Sequence, residues 1–95
     1  MSERDAYVAK MKAKLDEWNA AIDQFEARAR VAQADVRLMY ERQLGELKTN
    51  RDAAAQRLRE LQLASADAWE SLRQGAEAAW KDMADAFRKA SDRFR

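Results

Sequence analysis

Val8, Met11, Leu15, Trp18, Ile22, Phe25, Ala29, Ala32 and Val36 recur at alternating spacings of three and four residues. At 3.6 residues per turn, that alternation places them on one seam of a helix, the signature of a coiled-coil repeat. Around Met39, Tyr40 and Leu44 the spacing slips by one residue, after which Leu47, Arg51, Ala54, Leu58, Leu61 and Ser65 resume it. A slip of this kind changes supercoiling locally without ending a helix.

The chain has no proline, and its two glycines are Gly45 and Gly75. Ala, Leu, Glu, Lys, Arg and Gln, the strong helix formers, dominate it. The polar stretch Thr49-Asn50-Arg51-Asp52 is the one interior turn candidate before residue 63, yet it runs into the helix-favouring Ala53-Ala54-Ala55. The pattern therefore predicts an uninterrupted helix over about 3–63, on the order of 90 Å long at ~1.5 Å per residue. Ser2 with Asp5 forms a capping pattern at its start.

Asp67 with Glu70 repeats the capping pattern, Ser65 is an alternative cap, and a turn is predicted over about 64–67. Beyond it Trp69, Leu72, Ala76, Trp80, Met83, Phe87, Ala90 and Phe94 fall on one face of a second, amphipathic helix over about 67–94, widened by Ala68, Ala79 and Ala86. Trp69 to Trp80 and Ala76 to Phe87 both span eleven residues, an amphipathic repeat. Glu77 with Lys81 and Asp85 with Lys89 add helix-stabilising pairs on the opposite face.

The predicted fold class is thus all-α: one domain, a long helix followed by a shorter antiparallel one. The short arm covers only the nearer half of the long one. Met11, Leu15, Trp18, Ile22 and Phe25 would each forgo about 1.5–3 kcal/mol if left in water, a sum comparable with a small domain's whole stability. A partner helix is expected to cover them, in an antiparallel homodimer with three helices at every cross-section. Its interface is predicted to hold Met11, Leu15, Trp18, Ile22, Phe25, Val36, Leu44, Leu47, Leu58 and Leu61. Trp69, Leu72, Ala76, Trp80, Met83, Phe87 and Phe94 form the packing face of the second helix. Arg51, within the seam, either selects register by pairing with an acid or extends its charge to solvent from the bundle edge.

Catalysis is not expected. The 95 residues include no His and no Cys, so the common neutral-pH base and thiol nucleophile are missing, and Ser2, Ser65, Ser71 and Ser91 have no recognisable activating partner. Asp82 with Asp85, and Asp16 with Glu17, lack the histidines of helical di-iron sites, so no metal or cofactor is expected. Eighteen basic and 17 acidic residues are mixed along the chain. Lys10, Lys12 and Lys14 alternate across faces, so nucleic-acid binding is not expected. The opening residues lack a basic-then-apolar secretory pattern and no stretch approaches about 20 apolar residues, so a soluble cytoplasmic protein is expected. The alternative to partner packing is a membrane surface, taken up by the amphipathic face of Trp69 to Phe94.

Arg4-Asp5-x-Tyr7-Val8, Leu15-Asp16-Glu17-Trp18-Asn19, Ser65-Ala66-Asp67-Ala68-Trp69 and Ala79-Trp80 together resemble a family of small bacterial coiled-coil proteins labelled as stress-response proteins. The resemblance spans nearly the whole chain and implies a bacterial, stress-associated, non-enzymatic role with no site residues to carry over. The eleven-residue pattern is also similar to that of exchangeable apolipoproteins and, more distantly, of desiccation-related proteins.

Overall fold

A computed structural model describes residues 2–94, and in them the chain forms three helices: α1 (Glu3–Val31), α2 (Ala34–Leu63) and α3 (Trp69–Arg93). They lie side by side in a rod of 51 × 20 × 19 Å, α2 antiparallel to both neighbours. The Ser2 side chain caps α1, its hydroxyl accepting the Asp5 N–H at 3.1 Å. At the second turn the Ser65 Oγ accepts the Ala68 N–H at 3.2 Å, holding the turn over 66–68 that precedes α3. Helix α3 itself begins at Trp69, two residues later than the pattern of Asp67 with Glu70 predicts, and its N-cap residue Ala68 makes no side-chain cap bond.

The continuous helix expected over 3–63 is corrected to two helices, broken at Ala32 and Gln33. Burial decides it. A straight helix gains a few backbone hydrogen bonds at the break, each worth about 0.5–1.5 kcal/mol net. Folding back instead shelters the large side chains of α1, each worth about 1.5–3 kcal/mol. The unequal two-armed hairpin thereby becomes three arms of similar length, 29, 30 and 25 residues, and the chain supplies its own three-helix cross-section. The slip in spacing near Met39 is the trace of this break: the apolar seam changes phase because a different helix carries it.

Both reversals are made without glycine, and among the described residues no backbone has positive φ. Helix C-termini leave carbonyls unpaired, a need commonly met by a left-handed glycine. Here arginines from neighbouring helix starts meet it. The Arg37 guanidinium donates to the carbonyls of Ala29, Arg30 and Ala32, each at 3.2 Å. At the opposite end Arg4 donates to the carbonyls of Leu61, at 2.7 Å, and Ala64 while lying 5.3 Å over the Trp69 ring. Each hairpin end is fastened by a side chain of the adjoining helix.

The core runs along the rod in two clusters. Ile22, Phe25, Ala29, Leu44, Leu47, Met83, Ala86 and Ala90 fill the half near the first turn. Met11, Ala54, Leu58, Leu61, Ala76 and Trp80 fill the other. No Cα of α1 comes within 8 Å of a Cα of α3. Large rings bridge that gap: Trp18 lies 5.5 Å from Trp80 and 6.5 Å from Phe87, and Tyr7 meets Trp69 edge-on at 5.8 Å. Small alanines on α3 let it sit close to α2, while its aromatics reach across to α1.

Candidate interaction surface

The residues assigned by sequence to a dimer interface lie, all but Val36, inside this single chain. Met11, Ile22, Phe25, Leu44, Leu47, Leu58 and Leu61 are buried, and Leu15 and Trp18 are half-buried against the core. On α3, Ala76, Trp80 and Met83 are buried, with Trp69, Leu72, Phe87 and Phe94 packed partly buried around them. The shelter that required a second copy comes from the chain's own α2 and α3, and the face suited to lipid is turned into the bundle. Arg51 sits at the α1–α2 edge, bonded to Asn19 Oδ1 at 3.3 Å and Asp52 at 3.0 Å.

What the bundle leaves uncovered is concentrated at one end. Val31, the last residue of α1, is 86% exposed, and Val36, Leu38 and Met39 in the opening turns of α2 are 38%, 58% and 44% exposed. The helix lengths explain it. Helix α3 ends at Arg93, and Phe94 stacks on Tyr40 with ring centroids 4.0 Å apart. Val36 lies one turn before Tyr40 on the same face of α2, beyond the reach of α3. Sequence reasoning placed Val36 in an interface but missed Val31, Leu38 and Met39, which stand off the seam; their signal was an apolar cluster, Val36-x-Leu38-Met39, too dense for one face. Leu63, 87% exposed, lies at the opposite end.

The groove between α1 and α2 is edged by Glu26, Arg30, Arg37, Glu41 and Lys48. Lys48 Nζ sits 2.5 Å from Glu26 and holds the Glu26 carboxyl below the usual carboxylate range, by hydrogen bonding first and charge second. On α3, Arg73 joins Glu70 and Glu77, each at 2.5 Å, and holds Glu70 low in the same way. Lys10, Lys12 and Lys14 are each exposed.

Three of the groups weighed for chemistry, Ser2, Ser65 and Asp85, have structural partners. The hydroxyl of Ser2 caps α1, that of Ser65 accepts from the turn before α3, and Asp85 pairs with Arg88 at 3.1 Å. The buried side chain of Gln43 donates to Glu46 at 3.3 Å. Among the described residues no group of three or more His, Cys, Asp or Glu is placed to hold a metal ion, and no helix is long and apolar enough to cross a membrane.

The fold and this surface define a class: a small antiparallel three-helix bundle with an apolar end. No protein-family model, curated protein or solved structure matches this chain.

Proposed function

We propose that this chain is a non-enzymatic, self-associating helical interaction protein of the cytoplasm, of the kind its resemblance to stress-response coiled-coil proteins implies. The observation that carries the reading is the exposed apolar end formed by Val31, Val36, Leu38 and Met39. Large apolar side chains gathered at one place on an otherwise charged surface mark a site of association. A homodimer through that end is the simplest closed assembly, because a two-fold contact uses the same patch on both copies.

Sedimentation velocity over a range of concentrations tests it. The wild-type chain is expected to dimerise, and Leu38→Glu with Met39→Glu to remain a helical monomer. A wild-type chain that stays monomeric at every concentration overturns the proposal. The membrane-surface alternative is less well supported: Ala76, Trp80, Met83, Ala86 and Ala90 are buried against the bundle, so binding through α3 would first require the core to open.

A further inference from the structure

We infer that the Ala32–Gln33 turn is a hinge, and that the chain has a second folded form in which α1 and α2 join as one helix and two copies exchange their α1. The inference rests on the self-association proposed above and specifies its geometry.

Three observations carry it. First, the turn holds none of the residues that enforce reversal. Ala32 (φ −79°, ψ 153°) and Gln33 (φ −65°, ψ 158°) are in ordinary extended conformations, and Gln33 gives the start of α2 no side-chain cap. Ala and Gln are strong helix formers. Rotating these two residues into helical geometry lets the unpaired first amides of α2 bond the last carbonyls of α1. The carbonyls of Ala29, Arg30 and Ala32 now take their side-chain donor from Arg37. That clasp is the local element opposing the straight form.

Second, the core is indifferent to which chain supplies α1. Tyr7, Met11, Leu15, Trp18, Ile22 and Phe25 meet the same surfaces of α2 and α3 whether α1 comes from their own chain or its partner. The clusters described above survive the exchange intact, so the balance between forms is set at the hinge and wherever the two bundles meet. Exchange of an identical element is a low-cost route to a dimer.

Third, the exposed apolar residues stand where the two bundles would meet. Two straightened helices crossing antiparallel at residues 32 and 33 bring the turn ends of both bundles together at the two-fold axis. Val31, Val36, Leu38 and Met39, four of the five exposed large hydrophobics among the described residues, flank that point. The exchanged dimer covers what the closed monomer leaves in water.

Pulsed dipolar spectroscopy separates exchange from simple pairing. The chain contains no cysteine, so Ala20→Cys with Asp52→Cys takes two spin labels cleanly. Both positions are exposed and next to Asn19 and Arg51, which are bonded across α1 and α2 at 3.3 Å. Labelled chain is refolded with an excess of unlabelled chain, and the dimer fraction is isolated. Exchange predicts an intrachain distance of roughly 48 Å along one straight helix, at ~1.5 Å per residue, and the closed hairpin predicts a short one. Gln33→Asp, which supplies an N-cap to α2, is expected to lower the association constant about tenfold or more. Arg37→Ala, which removes the clasp, is expected to raise it by a similar factor; if that variant does not fold, Gln33→Asp still reads the hinge. A dimer with a short intrachain distance overturns the exchange and leaves self-association standing, whereas a monomer at every concentration overturns both. Association unchanged by Gln33→Asp overturns the hinge assignment.

Discussion

The indole N–H of Trp80 donates a 3.1 Å hydrogen bond to the hydroxyl of Tyr7, tying α3 to α1 across 73 positions of sequence. It satisfies the one polar atom of a buried indole. Burial is also the larger influence on Tyr7, raising its phenol above the ordinary value of 10.0 while the Trp80 bond acts in the opposite sense. A raised pKa means that the fold favours the protonated phenol. Its contribution is complete below the unfolded pKa and is lost as the pH climbs through the folded one.

Tyr7→Phe leaves the Trp80 N–H without its partner and is expected to cost about 1–2 kcal/mol at neutral pH. The same substitution removes the Tyr7 share of the stability lost above pH ~10. Urea unfolding at pH 7 and at two values above 10 checks both. A variant as stable as wild type at pH 7, or with an unchanged alkaline slope, contradicts this account.

Arg4→Ala removes the donor to the end of α2 and the guanidinium over Trp69, and is expected to lower stability by about 1–2 kcal/mol. Arg4→Lys should recover only part of the loss, because an ammonium can replace the single Nη2 that donates to those carbonyls but not the planar guanidinium lying over the Trp69 ring. Thermal melts of the three proteins give the order directly: wild type highest, Lys between, Ala lowest.

Core and surface leucines should differ sharply. Leu47 and Met83 are fully buried, so truncating either to Ala is expected to cost about 2–5 kcal/mol. Leu63→Ala, at an exposed site, should fall within about 0.5 kcal/mol of wild type. Chemical denaturation midpoints at constant slope distinguish the two sets, and equal losses would mean that the core is placed elsewhere.

Gly45 and Gly75 both lie inside helices, and a Cβ at either meets nothing within 4 Å. Gly45→Ala and Gly75→Ala are each expected to stabilise the chain by about 0.5–1 kcal/mol, chiefly by restricting the unfolded state. The double variant should show the sum, since the two sites sit on different helices. A destabilising result at either position would reveal a neighbour that the structure does not place there.

Below pH 5 the paired carboxylates take over. Glu26 and Glu70 have pKa values lowered from 4.5 by Lys48 and Arg73. Their contribution is therefore present above the unfolded value and declines as pH falls through the lowered one. Glu26→Gln should flatten the acid limb of a stability–pH curve and leave the neutral region nearly unchanged, because an exposed ion pair contributes little there.

The helical class, the cap at Ser2, the end of α2 at Leu63 and the inward face of α3 were legible because each is written locally, in spacing or in a capping residue. The break at Ala32 and Gln33 was not. Its instruction sits in Arg37, four residues beyond Gln33, and in the burial that three matched arms make possible, while the residues that turn read as helix. From that one misread connection followed the expectation that a second chain must cover Met11 to Phe25. The exposed end was half legible: Val36 lay on the seam, whereas Val31, Leu38 and Met39 became conspicuous only once α3 was seen to stop opposite Tyr40.

With Trp18 and Trp80 only 5.5 Å apart, light absorbed by one indole passes readily to the other. The ultraviolet emission and near-ultraviolet dichroism of this chain should therefore report the α1–α3 seam as a coupled chromophore. Any event that parts those two helices carries its own optical signature, with no dye attached.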